Sequence, residues 1–369
     1  MDRPITSAVD ASDRRPEIMP RHFKSRRPAV AASRISLSSL TQARLTSARE
    51  GKYFPHCKMN PRLKVAIIIV SHNTRDLLID CVSSVIESTQ GESVEIVVVD
   101  NASEDGSYEA VCRYYPRVKA ISNTVNIGFG AACNQAIRAT IAPFILLLNS
   151  DARLTSQAFS ALCDCMQFNA RCGAASCRVV SAGGAEMVSA RNFLMPFNQA
   201  FELTGFSYVS RWRYLRRTSR LRLSKNLVDC SVDWVEGACL ILRRAALDQV
   251  GLFDERFFMY SEDEDLCARL KQHGWSVCFS AGGTAIHHGR ASTTQNRVEM
   301  LGHFYSSQLL FLSKHSGFIA VLLYMASMSV VLRLRRFLLP LLLRNEAAEE
   351  AAEELFALRR AWSSRSQRG

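Results

Sequence analysis

The sequence predicts an α/β domain built on a mostly parallel sheet, and three observations predict it. Apolar, largely β-branched runs at residues 65–70, 95–99 and 144–148 have the length and composition of strands buried on both faces. Segments with helical character separate them, the pattern of right-handed crossovers between parallel strands. Polar residues collect just after each run, at 71–73, 100–103 and 149–151. Ligands of such sheets bind beyond the carboxyl ends of the strands.

The elements follow in order. Residues 65–70 make the first strand, and Thr74 stands as N-cap of a helix reaching about Ser88. The second strand, 95–99, leads to a helix through Tyr115 and a short strand near 118–122. Asn126-Ile-Gly-Phe-Gly130 opens a helix that ends near Ala139, and the fourth strand runs over 144–148. Residues 234–244 read as a strand passing into a helix, and another strand ends at 285–289. Residues 346–360 alternate charge with Ala and Leu as an exposed helix does.

A chain of 369 residues, 48% hydrophobic and 22% charged, can bury a core without staples. This composition excludes collagen-like, fully disordered and polytopic membrane proteins. The net charge of +12 invites a nucleic-acid partner, but residues 1–60 alone hold twelve Lys/Arg against five Asp/Glu. The excess therefore sits mostly in a tail, 1–58, that lacks apolar periodicity and reads as disordered. No recognition motif accompanies it, so no nucleic acid is expected. No apolar run follows Met1, so no signal peptide is expected, and Met59 is an alternative start just ahead of the first strand. The twelve cysteines form no paired CxxC clusters and read as reduced packing residues of a cytosolic protein rather than a metal or redox site.

Several polar groups have chemistry to offer. Asp100 and Asn101, at a strand end, can hydrogen-bond a nucleobase or ribose. Asn126, Gly128 and Gly130 let backbone approach a ligand at a helix start, a tight turn being an equal reading. Asn149-Ser-Asp151 offers two oxygen ligands to a hard divalent cation, although such a turn taken alone is more often structural. No GxGxxG follows the first strand and no P-loop is present. The carboxylate run Glu262-Asp-Glu-Asp265 could be a solvated helix start. Yet Phe257-Phe-Met-Tyr260 before it should hold the run against the core, where a carboxylate can act as general base. His287 and His288 end a strand and are candidate metal ligands.

Taken together, these pieces resemble the inverting glycosyltransferases of family two, most closely their bacterial rhamnosyltransferase-like members. The matching motifs are Ile68-Ile-Val-Ser-His-Asn73, Val98-Val-Asp-Asn-Ala-Ser103 and Asn126-Ile-Gly-Phe-Gly130 with Asn134. They continue in Leu147-Leu-Asn-Ser-Asp-Ala152, Phe253-Asp-Glu-Arg-Phe-Phe-Met-Tyr260, Glu262-Asp-Glu-Asp-Leu266 and His287-His-Gly289. The resemblance covers about residues 63–315. It implies a GT-A (Rossmann-like) fold, a nucleoside-diphosphate sugar donor, and Mg²⁺ or Mn²⁺. Asn149 stands where many relatives carry Asp, leaving Asp151 as the anionic ligand of that motif.

The resemblance also implies roles. Ser71, Asn73, Asp100, Asn101, Asn126, Gly128 and Asn149 would hold the donor nucleotide. Asp151 and His287, with His288 in reserve, would share the cation. Asp263 would be the general base of a single displacement, with Glu262 or Asp265 as alternatives or as acceptor contacts. Trp234 and Gly237 would wall the sugar pocket. The expected activity is transfer of a sugar, rhamnose from dTDP-rhamnose, to a cell-envelope polysaccharide or lipid-linked acceptor. The alternative is a non-catalytic glycosyltransferase-like binding module at a membrane.

Two further segments bear on the acceptor. Residues 211–225 hold seven Lys/Arg and no acid, interleaved with Trp212, Tyr214 and Leu215, as a mobile loop or as a patch for an anionic lipid surface. Residues 315–332 carry no Asp, Glu, Lys or Arg and precede an Arg cluster; their length is marginal for crossing a bilayer. An interfacial helix on the inner face of the cell membrane is preferred, then a buried core helix, then a single span. The expected organisation is a tail, 1–58, a catalytic unit, 59–315, and a membrane-associating helical segment, 316–369.

Overall fold

A computed structural model describes residues 64–204, 221–222, 230–289, 297–338, 340 and 345–366. The basic tail, and all of the 211–225 segment but two residues, lie outside the described residues. The first strands form where the apolar runs require them. Strand β1 (Val65–Ser71) pairs in parallel with β2 (Val94–Asn101), and β2 with β3 (Lys119–Asn123). On its other side β1 pairs in parallel with β4 (Phe144–Asn149).

The sheet then continues with β12 (Cys239–Arg243), antiparallel to both β4 and β6 (Cys172–Val180), and β13 (Ser276–His287) runs parallel to β6. A single reversed strand thus interrupts an otherwise parallel series, and the carboxyl ends of β1, β2, β4 and β13 meet on one edge. Two-residue strands β5 (Ala152–Arg153), β7 (Glu186–Met187) and β10 (Cys230–Ser231) are appended to it. A small second sheet joins β8 (Ala190–Arg191), β9 (Leu221–Arg222) and β11 (Trp234–Val235).

Strand alternation sorts the core into two layers. Ile67 and Ile69 face helices α1 (Arg75–Ser88) and α4 (Ser156–Phe168), through Leu78, Val82, Val85, Phe159 and Leu162. Helix α2 (Ser107–Tyr114) adds Val111 to that layer. Ile68 faces the other side, where α3 (Phe129–Arg138), α6 (Arg244–Val250) and α7 (Glu262–Gln272) supply Ala132, Ala136, Leu247, Leu266 and Leu270. Each fully buried Leu, Ile or Phe side chain contributes about 2 kcal/mol.

A third cluster joins α5 (Asn198–Leu203) to three C-terminal helices, α8 (Arg297–His315), α9 (Phe318–Leu338) and α10 (Asn345–Ser366). Tyr305, Leu309, Tyr324, Met328, Leu355 and Leu358 fill it. The boundary expected at 315 falls between α8 and α9, two helices that share this one core.

Two local expectations are corrected. Thr74 stands before α1, but its hydroxyl donates to Ser150 Oγ at 2.8 Å, and Asp105 caps the helix instead by accepting from Arg75 N at 2.8 Å. The strand expected over 234–244 is divided between the two sheets as β11 and β12. The break at residues 236–238 is part of the site.

Candidate active site

Strand ends bring the polar groups together. Asp100 is buried at the end of β2; one carboxylate oxygen accepts from Ser103 N at 3.1 Å, and the other has no partner within the protein among the described residues. Asn73, at φ +53°, accepts from Glu104 N at 2.8 Å and so ties the loop after β1 to the loop after β2. Ser71 is fully buried, its hydroxyl 2.9 Å from that of Thr74, which makes it part of the frame. Asn101 spends its whole amide on the neighbouring loop: Nδ2 donates to Asn126 Oδ1 at 2.7 Å, and Oδ1 accepts from Asn123 Nδ2 and Ile127 N, both at 3.1 Å. Asn126 Oδ1 also accepts from Gly128 N at 3.0 Å.

Gly128 has a positional reason. It sits at φ +87°, and a Cβ there would stand 2.5 Å from the Phe258 carbonyl oxygen. That carbonyl accepts from Phe129 N at 2.9 Å. Asn134, buried on α3, completes the junction by bonding both backbone groups of Phe253 at 2.9 Å. The loop at 126–130 is thereby fastened to the segment that carries the carboxylate run.

Asp151 and His287 are brought together from opposite halves of the chain. Antiparallel pairing of β13 with β5 sets His287 opposite Ala152, beside Asp151. The His287 Nε2 stands 2.9 Å from Asp151 Oδ1 and 3.3 Å from Asn149 Nδ2. His288 is exposed and uses its backbone N–H on the Asp151 carbonyl at 2.9 Å. A carboxylate, an imidazole nitrogen and an adjacent amide are a donor set that a hard or borderline divalent cation accepts.

A cavity of about 510 Å³ opens beside this pair, within the usual range for small-molecule sites. Asn149, His287, Trp234, Gly237, Glu262 and Asp263 all line it. Asp263 accepts from Gly237 N at 2.9 Å and from Glu264 N at 2.8 Å, which fixes its carboxylate at the break between β11 and β12. Tyr260 and Ser261 both hold positive φ, +69° and +62°, in the turn that delivers Glu262 and Asp263 to the wall. Such strain persists only where surrounding structure enforces it.

The carboxylates of the run separate cleanly by environment. Burial, and next the charge of Glu236, push Asp263 up to about 7 against the pull of its two backbone N–H bonds. Burial, and next the charge of Asp263, push Glu262 up to about 8, and its Oε2 has no partner within the protein among the described residues. Glu264 faces inward, accepting from Leu194 N at 2.5 Å.

Asp265 lies away from the cavity and does not fit the acceptor role expected of it. Burial would raise its carboxyl, but bonds from His315, Lys314 and Arg269, at 2.7–2.8 Å, outweigh burial and hold it below the usual range. It is the buried anchor of α8. Asp265→Asn should therefore cost about 3–5 kcal/mol of stability by taking from the Lys314 and Arg269 cations, and from His315, the carboxylate they bond. A denaturant titration beside a donor-binding curve checks this: the folded variant should bind donor normally.

Sequence reasoning did not single out Arg191, Glu236, Gln199 or Glu202, which also line the cavity. Glu236 pairs with Arg191 at 2.6 Å, and the Arg191 guanidinium lies 5.9 Å from the centre of the Trp234 ring. Glu236 lies inside the segment 234–244 that reads as a strand passing into a helix; Arg191 and α5 carry no local signal.

Residues 66–251 match the family described as glycosyl transferase family 2. The chain belongs to this family. Among curated relatives, the N-acetylglucosaminyl-diphospho-decaprenol L-rhamnosyltransferase of Mycobacterium tuberculosis is 31% identical over 61% of this chain and 76% of its own length. The rhamnosyltransferase WbbL of Escherichia coli is 26% identical over 61% of this chain and 83% of its own. Among solved structures, a mannosyltransferase from Pyrobaculum calidifontis in complex with GDP-Man and Mn²⁺ superposes with a TM-score of 0.51 at 16% identity, over 85% of this chain and 90% of that one. The family-two chain is a glycosyltransferase with a GT-A-like α/β fold.

Proposed function

We propose that this family-two chain is an inverting rhamnosyltransferase. It would move L-rhamnose from dTDP-rhamnose to a hydroxyl of a lipid-linked or polysaccharide acceptor of the cell envelope. The observation that carries the reading is one cavity wall: Asp263, raised toward neutrality, shares the cavity with His287, which touches Asp151. The rhamnosyltransferase relatives support the choice of donor and acceptor class.

Asp100 takes the nucleoside of the donor on its unpartnered carboxylate oxygen, and Asn101 acts through the loop at 126–130 that it holds. Asp151 and His287, with Asn149 beside them, would hold Mg²⁺ or Mn²⁺, which offsets the charge of the departing diphosphate. Trp234 and Gly237 shape the sugar pocket. Asp263 accepts the proton of the acceptor hydroxyl as that oxygen attacks the anomeric carbon from the face opposite the diphosphate. Glu262, neutral at pH 7, can donate a hydrogen bond to a sugar hydroxyl. Arg191 holds Glu236 in position beside the base.

The direct experiment offers the full chain dTDP-L-rhamnose, UDP- and GDP-sugars, each with an N-acetylglucosaminyl diphosphate lipid. Product only with dTDP-L-rhamnose is expected. Product only from another donor would overturn the donor assignment, leaving the family intact.

The acceptor class suggests a place for the enzyme at the inner face of the membrane. Helix α9 buries Val321, Tyr324 and Met328 against its neighbours while Phe318, Ile319, Leu334 and Phe337 are 53–74% exposed. Arg333 and Arg336 stand exposed at its end. An apolar stripe beside cations suits peripheral binding to an anionic leaflet. Flotation with phosphatidylglycerol vesicles should recover the wild type. Recovery should drop severalfold for Ile319→Ser with Phe337→Ser; equal recovery of both would remove the membrane role of α9.

A further inference from the structure

The edge of the sheet opposite the cavity carries a set of groups that glycosyl transfer does not use. Cys165 near the end of α4, Cys172 at the start of β6 and Cys278 near the start of β13 come from three elements. Their sulfurs all lie within 4.8 Å of one another, and those of Cys165 and Cys172 are 3.8 Å apart. The parallel register of β6 with β13 places both strand starts side by side. His287, at the far end of β13, marks the opposite edge.

The spacing fits a metal ion better than a disulfide. Thiolates bound at roughly 2.3 Å stand about 3.8 Å apart around a tetrahedral ion and about 4.0 Å apart around a trigonal one. A disulfide would need two sulfurs at about 2.05 Å and would leave the third unexplained.

Charge points the same way, independently. Arg243, on the neighbouring strand β12, donates to the carbonyl oxygens of Cys172 at 2.8 Å, Asn169 at 3.0 Å and Met166 at 2.5 Å. It lies over the Phe144 ring, 5.2 Å from its centre. A partly buried cation held against the backbone of the cluster favours an anionic centre there. In addition, Asn169 Nδ2 donates toward Cys278 Sγ at 3.6 Å, an arrangement that orients a sulfur ligand from outside the coordination sphere.

We propose that Cys165, Cys172 and Cys278 form a thiolate site for one thiophilic d¹⁰ cation, Zn²⁺ or Cu⁺, which ties α4 to the starts of β6 and β13. Binding releases the thiol protons to solvent and changes no oxidation state. Three thiolates leave one net negative charge around Zn²⁺ and two around Cu⁺, close to the Arg243 guanidinium that bonds the Cys172 carbonyl.

The test uses the full chain, reduced, stripped with a chelator and held in saturating Mg²⁺ so that oxygen and nitrogen ligands elsewhere are occupied. Anaerobic titration with Co²⁺, as a spectroscopic probe for Zn²⁺, and separately with Cu⁺, should give sulfur-to-metal charge-transfer absorption that saturates at one equivalent with at least one ion. The ion that saturates identifies the metal. Cys165→Ser and Cys278→Ser should lose the band while keeping nucleotide binding; the exposed Cys112→Ser should keep both. No sulfur band in the wild type, or an undiminished band in both cluster variants, would overturn the proposal. So would a Cys165–Cys172 disulfide, found by mass spectrometry after exposure to air, in a protein that takes up neither ion.

Discussion

Asp263→Asn should lower single-turnover transfer by about a hundredfold or more, roughly 2.7 kcal/mol of transition-state stabilisation, with donor affinity nearly unchanged. The amide keeps the shape of the carboxylate and its oxygen keeps one of the two backbone bonds, from Gly237 N or from Glu264 N, so the wall loses one bond but keeps its shape. What disappears is the proton acceptor, which matters when the acceptor hydroxyl reacts and hardly before. Glu262→Gln should cost less, because Glu262 is already neutral at pH 7. Glu236 acts through Asp263: Glu236→Gln removes the charge that helps raise the base, so the acid limb of the rate profile should move to lower pH.

The same carboxyl leaves a signature in stability. Asp263 is raised in the folded state, so its contribution to stability is present below pH 3.8 and is lost as pH climbs through about 7. Asp263→Asn escapes that loss. The melting temperature of the variant relative to wild type should therefore rise between pH 4 and pH 8, by about 2–4 °C per kcal/mol, on top of a pH-independent loss from the one backbone bond given up. A catalyst more stable without its base would show that the group is kept for function.

The second large effect concerns donor binding. Asp151→Ala or His287→Ala should weaken dTDP-sugar binding in Mn²⁺ at least tenfold and abolish the gain that Mn²⁺ gives over chelator. Both atoms stand at one point, 2.9 Å apart, with no second carboxylate of the motif to compensate, since position 149 is Asn. Isothermal titration of dTDP-rhamnose with and without Mn²⁺ measures this. Unchanged Mn²⁺ dependence in either variant would move the cation elsewhere, with His288 as the next residue to test.

Much of the fold was legible because its strands are continuous apolar runs. β1, β2 and β4 are buried on both faces, so each reads as an unbroken hydrophobic segment and each ends in the polar residues of the site. β6 was not legible, since Cys172-Gly-Ala-Ala-Ser-Cys177 is small and unbranched; it is a strand through pairing with β12 and β13 rather than through local propensity. Thr74 shows the same limit at a smaller scale, its local capping preference yielding to a bond with Ser150, far along the chain.

Within the site, residue types were legible and facing directions were not. The run 262–265 announces carboxylates, but only the helix shows that Asp263 meets Gly237 while Asp265 turns to His315 and Lys314. Likewise Asp151 and His287 lie on one point only because β13 folds back on β5. The three clustered cysteines were read as packing residues one at a time, since nothing in their spacing marks them as neighbours.

The most direct test of the account is the pH dependence of single-turnover transfer, measured for the wild type and for Asp263→Asn from pH 5 to 9. The wild-type rate should rise about tenfold per unit at low pH and level off near 7, and the residual rate of Asp263→Asn should lack that limb. A variant that keeps both the wild-type rate and the limb would contradict the assignment of Asp263 as the base.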